Sequence, residues 1–129
     1  MCVLSLHIMK KTDLYDQVWE VSSEGIEEKV ITPEDFGLRS HSLESVRSGT
    51  AEENASTFRQ LLEGEIQQDS ALETFVMLNA AALLFVSGKA KDLVDGVRLA
   101  RESVTSGSAK KVCEEFGQAV RERVDASKS

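Results

Sequence analysis

The strongest constraint on this sequence is one long helical segment that is apolar on every side. A helix is predicted from about Ala71 to Ser87, with Asp69 or Ser70 as its N-terminal cap and Gly88 as its end. Its large apolar side chains point in nearly every direction around the axis: Leu72, Phe75, Val76, Met77, Leu78, Leu83, Leu84, Phe85 and Val86. Because such a helix is buried on most of its surface in a folded protein, we expect a second hydrophobic layer against it.

A transmembrane span is the alternative explanation of this segment. A span needs about 20 consecutive apolar residues, and the unbroken apolar run from Ala80 to Val86 is far shorter. Glu73 and Asn79 would also have to enter the lipid, which is costly for polar groups. The sequence therefore favours burial inside protein and predicts no membrane partner.

Length and charge limit the core and the kind of partner. A chain of 129 residues, 41% of them hydrophobic, fits one domain with one core. It carries 22 Asp and Glu against 15 Lys and Arg, a net charge of −7, and its longest basic runs are the pairs Lys10-Lys11 and Lys110-Lys111. Since nucleic-acid binding needs clustered cations, we expect no nucleic-acid partner.

The two cysteines indicate a reducing compartment, and we expect a cytoplasmic protein. Cys2 and Cys113 lie at opposite ends of the sequence and form no Cys-x-x-Cys pair, so neither a zinc site nor a disulfide framework is indicated. The apolar run from Cys2 to Met9 lacks the positive segment and cleavage site of a signal peptide. We interpret this run as a strand or as sequence of doubtful origin.

A β-hairpin followed by helices is predicted along the rest of the chain. Two β-rich runs, Val18–Val21 and Glu27–Ile31, flank a polar turn, and the segment TPEDFGL then breaks the pattern with Pro33 and Gly37. Besides the apolar segment, the predicted helices are a short one capped by Ser42 and closed by Gly49, one from Thr50 to Gly64, one from Asp92 to Ser106, and one from Ser108 to the polar tail DASKS.

Three of these helices are predicted to be ordinary amphipathic helices. The first begins at a capping box, in which Thr50 and Glu53 can each accept a hydrogen bond from the other's backbone amide. In each of the three helices, the apolar residues fall on one face at helical spacing. These are Ala55, Phe58, Leu61 and Leu62; then Leu93, Val97, Ala100 and Val104; and finally Val112, Phe116, Ala119, Val120 and Val124.

No residue pattern by itself indicates a catalytic site. The glycines are never closer than eight residues apart, so no loop can present several consecutive amides to a phosphate. The remaining candidates are better explained by local structure. They are His7 and His41 as surface or local hydrogen-bonding residues, Asp13 and Asp16 as loop acids, Asp35 as a turn residue, and Ser48-Gly49 and Ser87-Gly88 as pairs without the context of a nucleophile.

Three strings nevertheless resemble one enzyme family. ITPEDFGL (31–38), LESVRSGTAEENASTFRQLLEGE (43–65) and LNAAALLFVSGKAKDLVDGVRLARESVTSGSA (78–109) are similar to the C-terminal part of the anthranilate phosphoribosyltransferases. They keep the family's order and spacing over roughly residues 18–109. Coincidence is therefore a poor explanation.

A related family shares the same architecture. The pyrimidine nucleoside phosphorylases have this fold, but the Asp-Phe-Gly-Leu turn followed by Gly49, Glu53, Asn54 and Ala55 resembles the anthranilate branch. The resemblance implies the C-terminal part of a large α/β domain, here mostly α-helical with a short β-hairpin near the N-terminus. The expected organisation is an unmatched leader over 1–16, the α/β part over 17–126 and a tail over 127–129.

The resemblance also implies an activity for the full-length enzyme. The family transfers phosphoribose from phosphoribosyl pyrophosphate to the amine of anthranilate, a step of tryptophan biosynthesis. Magnesium and a Gly-rich loop hold the pyrophosphate while positive charge develops on the ribose, which is electrostatic stabilisation.

None of the family's site residues maps onto this sequence. Its Gly-Thr-Gly-Gly-Asp segment, Lys-His-Gly-Asn-Arg loop, anthranilate-binding arginine and metal-binding Asp-Glu pair lie upstream of the matched part and do not occur here. We therefore predict no catalytic, substrate-binding or metal residue in this chain and no cofactor bound by it. Magnesium, phosphoribosyl pyrophosphate and anthranilate are expected only in the full-length enzyme.

The expectation is a C-terminal fragment that is inactive alone and pairs with the missing N-terminal part of the same enzyme or with another covering partner. A misplaced exon boundary would explain the unmatched leader. The alternative is a non-catalytic helical interaction module that kept the family's outer helices. The helix around Leu78–Val86 packs on upstream sheet in the family, so we expect the isolated chain to be marginally stable, molten or self-associating.

Overall fold

The computed structural model describes residues 3–7, 16–22 and 24–127. The strands are β1 (Val3–His7), β2 (Asp16–Ser22) and β3 (Gly25–Ile31), and the helices are α1 (Ala51–Leu62), α2 (Ala71–Val86), α3 (Leu93–Thr105) and α4 (Ser108–Ser127). The predicted mostly helical chain with a hairpin near its N-terminus is confirmed. Cys2, Asp13 and the last two residues of the predicted tail lie outside the described residues.

The strands form one antiparallel sheet in the order β1-β2-β3. Strands β2 and β3 are the predicted hairpin, with Trp19 opposite Glu28 and Ser22 opposite Gly25. The N-terminal run, which the sequence left between a strand and doubtful sequence, contributes β1, whose Ser5 lies opposite Trp19. The sheet therefore has one strand more than the hairpin alone.

A 3₁₀ turn at Pro33–Phe36 links the sheet to the helices. The Asp35 carboxylate accepts a hydrogen bond from the backbone amide of Thr32 at 2.8 Å, which confirms the predicted local role of this aspartate. Gly37 ends the turn at φ 68°, in the left-handed region that favours glycine. This sharp turn directs Phe36 and Leu38 into the core.

Helices α2 and α3 form the centre of the molecule. Their closest approach is at Gly96, where a Cβ atom would lie 2.8 Å from the carbonyl oxygen of Ala81. The buried core cluster consists of Phe36, Leu38, Leu61, Met77, Ala81, Val97 and Ala100. The predicted inward face of α3 is confirmed, with Val97 and Ala100 buried.

Two helical predictions are corrected. The short helix after Ser42 is a 3₁₀ turn at Leu43–Val46, and the Ser42 hydroxyl pairs with that of Ser45 instead of capping a backbone amide. The capping box of α1 is present, but only Leu61 of its predicted apolar face is buried. Leu62 is half-buried, whereas Ala55 and Phe58 stay exposed on the wall of an open groove between α1 and α4.

Helix α4 differs most from its prediction. It is well formed to Ser127, past the start of the predicted tail, yet none of its residues is buried. It packs on α3, and Lys110 forms a 3.0 Å ion pair with Glu63 at the end of α1. The predicted apolar residues of α4, among them Val112 and Phe116, are therefore exposed.

Candidate docking face

Helix α2 has two apolar sides, and only one of them is buried in the core. Thr74, Met77 and Ala81 lie on the covered side and are buried. This side packs against α3, where Gly96 permits the close approach. Half-buried residues of the same helix pack against the core from either side of this row: Val76, Leu78, Ala80, Ala82 and Leu84.

The opposite side of α2 forms a second apolar row. At about 100° per residue, this row consists of Leu72, Phe75, Leu83 and Val86, which we call the α2 outer face. Leu83 is 73% exposed and Phe75 is 42% exposed. Leu72 and Val86 on the same side are half-buried, so the described elements cover the α2 outer face only in part.

The one polar residue within the α2 outer face is Asn79. Its side-chain amide donates a hydrogen bond to the carbonyl oxygen of Phe75, one turn back in the same helix, at 2.8 Å. A polar group that already has a hydrogen-bond partner costs less to bury. Asn79 is therefore compatible with a covering apolar layer.

An ion-pair cluster holds the base of α2 against α3. Glu73 is buried, and its carboxylate accepts from the Arg101 guanidinium at 2.7 Å and from the backbone amide of Asp69 at 3.1 Å. Arg101 also pairs with Asp69 at 2.8 Å. The hydrogen bond to Glu73 raises the pKa of Arg101, opposed by partial desolvation. The cluster fixes the loop before α2, so its role is structural.

Sequence reasoning missed this cluster. Glu73 counted in the sequence only as a polar residue against a membrane span, and the predicted cap Ser70 does accept from the Glu73 amide at 3.4 Å. Arg101 is 28 residues away from Glu73, and no local pattern joins the two. Only the packing of α2 on α3 brings them together.

The other weighed residues are scattered. His41 is half-buried, and its Nε2 is enclosed without a hydrogen-bond partner. Gly49, which follows Ser48, is held by Asn54 through two hydrogen bonds, and the Ser87 hydroxyl donates to its own helix at Leu84. In the part of the chain that the structure describes, no three His, Cys, Asp or Glu side chains are grouped to hold a metal ion.

A shallow apolar groove lies between β3 and the start of α3. Its volume is about 510 Å³, and Val30 and Val94 on its walls are exposed. An exposed apolar surface such as the walls of this groove commonly marks a protein interface.

None of the helices among the described residues has the length and apolar character needed to cross a membrane.

Comparison with known proteins identifies what this chain is similar to. A family profile described as "Glycosyl transferase family, a/b domain" matches residues 10–110. Anthranilate phosphoribosyltransferase of Schizosaccharomyces pombe is 42% identical over 91 residues, which is 70% of this chain and 26% of that relative. The enzyme of Oceanobacillus iheyensis is 46% identical over 89 residues, 69% of this chain and 25% of that relative.

Solved structures agree with these relatives. Anthranilate phosphoribosyltransferase from Thermus thermophilus superimposes with a TM-score of 0.72 at 37% identity, and the Saccharomyces cerevisiae enzyme in complex with 4-fluoroanthranilate with 0.77 at 25% identity. Each match covers 84% of this chain and 31% of the solved chain.

The length of the matches matters as much as their similarity. The chain spans about a quarter of the length of the curated relatives that it matches. The solved neighbours are α/β enzymes, which confirms the predicted fold class. Because the profile matches most of the chain, this protein belongs to the glycosyl transferase family defined by that a/b domain.

Proposed function

We propose that residues 17–126 supply the C-terminal part of an anthranilate phosphoribosyltransferase α/β domain and that the chain is inactive alone. The complete unit would transfer phosphoribose from phosphoribosyl pyrophosphate to anthranilate. The observation that carries this proposal is the combination of at least 42% identity to such enzymes in the two relatives above with coverage of only about a quarter of their length.

The chemistry of the reaction supports a division of labour. Loss of pyrophosphate leaves positive charge on the ribose and negative charge on the leaving group, and both need fixed charges or a metal ion nearby. One related structure from Saccharomyces cerevisiae is in complex with PRPP and Mg. We assign no catalytic, substrate-binding or metal role to a residue of this chain, and place these roles on the rest of the complete unit.

The partner of this chain, in this proposal, is the remaining part of the α/β domain, and it docks on the α2 outer face. Covering one exposed Leu or Phe contributes about 1.5–3 kcal/mol. Leu83 and Phe75 would therefore contribute several kcal/mol of binding free energy together. The side-chain amide of Asn79 already donates a hydrogen bond to the Phe75 carbonyl oxygen, so burying this row does not leave that amide without a partner.

A reconstitution experiment tests this proposal by supplying the part of the enzyme that the chain does not contain. The segment of the Schizosaccharomyces pombe enzyme upstream of its matched region is co-expressed with this chain, and transferase activity and co-purification are measured. We expect activity only when both parts are present. Activity of this chain alone, or absence of both activity and a complex, contradicts the proposal.

A point substitution tests the docking face in the same assay. Leu83→Glu changes a side chain that is already largely exposed, so the isolated fold should be unaffected, but a buried carboxylate would oppose docking. We expect at least a tenfold loss of reconstituted activity, equivalent to about 1.4 kcal/mol. Ser56→Glu, at an exposed position of α1, is the matched control and should leave the activity unchanged. Binding of an unrelated partner without transferase activity would favour the interaction-module alternative.

A further inference from the structure

The segment that joins α1 to α2 is held in place by few contacts. We call residues 64–69 the α1–α2 strap. These residues are exposed except Ile66, which is half-buried and packs against the core. The backbone hydrogen bonds of the strap are local, such as the 2.9 Å bond from the Glu65 amide to the Gln60 carbonyl oxygen. Because little apolar surface is buried here, we expect the strap to lie at the low end of local stability in this fold.

Both ends of the strap have a left-handed backbone. Gly64 has a φ of 72°, and Asp69 has a φ of 60°. Among the described residues, Asp69 is the only one other than glycine with a positive φ. This conformation is uncommon for residues with a side chain, although aspartate and asparagine adopt it more readily than most. Opening of the strap would free Asp69 from this conformation, so the closed strap must be held by other contacts.

Ion pairs hold the strap closed from both ends. The Arg101 guanidinium of α3 binds the Asp69 carboxylate at 2.8 Å and the Glu73 carboxylate of α2 at 2.7 Å. At the other end, Lys110 of α4 pairs with Glu63 at 3.0 Å. The side chain of Asp69 is 53% exposed, whereas that of Glu73 is 7% exposed. Water can therefore replace the bond from Arg101 to Asp69 while the buried bond to Glu73 stays in place.

A cavity of about 220 Å³ lies beneath the strap. The strap lines it on one side, with Ile66 among the lining residues, and the helices supply an apolar floor that includes Leu61, Met77 and Val104. Arg101 also lines this cavity. Lifting the strap would therefore widen the cavity into a cleft that has an apolar floor and a guanidinium at its edge.

We propose that the α1–α2 strap opens as a unit without unfolding of the α2–α3 core, with the Arg101–Asp69 ion pair as its latch and Gly64 as its hinge. A hinge needs a residue that absorbs a large change of backbone angles, and glycine does so at the lowest cost. This inference does not rest on the proposed function, because the strap and the α2 outer face are different surfaces.

Hydrogen exchange of the full chain, followed by mass spectrometry, tests whether the strap opens by itself. Peptides that cover the strap should exchange faster than peptides of α3. Their exchange should also respond less to low concentrations of urea, because opening of the strap exposes less surface than unfolding of the molecule. Equal exchange rates and equal urea dependence in the two regions overturn the proposal.

Asp69→Asn tests the latch in the same experiment. Asparagine tolerates the left-handed backbone as aspartate does, but it lacks the charge that Arg101 binds. We expect exchange of the strap to be faster by roughly two- to fivefold, the range for an ion pair with solvent access, and exchange of α3 to be unchanged. Glu102→Gln, which makes the same change at the exposed pair with Arg98, is the control and should not affect the strap. Unchanged exchange of the strap in Asp69→Asn, or faster exchange of strap and core alike, overturns the latch.

Gly64→Ala tests the hinge. A Cβ atom at Gly64 would meet no atom within 4 Å, so the substitution acts only through the positive φ of the closed strap. The cost of that conformation for alanine should speed exchange of the strap by roughly five- to thirtyfold. Gly88→Ala, at a φ of 71° and equally open, is the matched control between α2 and α3. If Gly88→Ala speeds exchange of the strap as much as Gly64→Ala does, the hinge is wrongly assigned.

Discussion

At the scale of single residues, the contact of Gly96 with Ala81 is the least tolerant point of the core. A Cβ atom at Gly96 would lie 2.9 Å from the Cα atom of Ala81 as well as 2.8 Å from its carbonyl oxygen. Gly96→Ala would gain about 1 kcal/mol of helix propensity, but overpacking of this kind typically costs about 1–3 kcal/mol. We expect a lower midpoint in urea unfolding followed by far-UV circular dichroism.

Gly117→Ala is the matched control, since it makes the same change inside helix α4. The nearest atom to its Cβ would be the Arg121 guanidinium at 3.4 Å, at the end of a flexible side chain. We expect this variant to be neutral or slightly stabilising. Equal destabilisation by both substitutions would show that the α2–α3 contact is not the cause.

The buried carboxylate of Glu73 gives a second prediction at this scale. Its side chain is 7% exposed and that of Arg101 is 28% exposed, so removing the cation leaves a nearly buried charge without its main partner. Breaking a buried pair costs about 3–5 kcal/mol, and the partial exposure of Arg101 places Arg101→Met toward the lower end. Arg98→Met removes two ion pairs, to Asp95 and Glu102, but its guanidinium is 61% exposed, so the unfolding free energy should change by less than for Arg101→Met, about 1 kcal/mol.

At the scale of elements, the start of α3 should respond to acid. Hydrogen bonds from the Arg98 guanidinium and then from the Lys91 amide hold the pKa of Asp95 below its ordinary value of 3.8. Because the folded-state pKa is lowered, the stabilisation by Asp95 is present above the ordinary value and is lost as pH falls through the lower value.

Asp95→Asn removes this proton-linked contribution. In unfolding experiments across the acid range, the variant should be less stable than the wild type near neutral pH, and the difference should shrink as the pH falls. Glu52→Gln, at an exposed position of α1, is the control. A difference that stays constant with pH would contradict the assigned role of Asp95.

The elements also show what sequence patterns predict well. The capping box at Thr50 and the turn at Asp35 were predictable, because each hydrogen bond joins residues three apart. The apolar faces of α1 and α4 were found, but their burial was not. Periodicity shows that a face is apolar, whereas burial depends on what lies against it.

At the scale of the whole molecule, exposed apolar surface should control behaviour in solution. The described structure leaves large side chains of α2, α4 and β3 accessible, including Leu83, Phe116 and Ile26. We expect the isolated chain to melt with low cooperativity and to associate at micromolar concentration. A sharp, reversible melt of a compact monomer, measured by circular dichroism and light scattering, would contradict this expectation.

A double substitution separates the two apolar surfaces. Phe75→Gln with Leu83→Gln removes the two most exposed side chains of the α2 outer face and should reduce non-specific association. The exposed apolar side chains of α4, such as Phe116, are unchanged in this variant, so association through them should persist. Loss of all association in this variant would show that the α2 outer face alone drives it.

The sequence by itself determined the hairpin, the turn at Asp35, the caps of α1 and α2 and the family, because these depend on residues that are near one another along the chain or on strings that match the family. The tertiary structure alone decided that Arg101 reaches Glu73, that Gly96 meets Ala81, and that one side of α2 is covered more fully than the other. The physical reason is that hydrophobic burial is non-directional. A pattern of apolar residues shows which surface is unfavourable in water, but only the packed structure shows which of these surfaces is buried against another element.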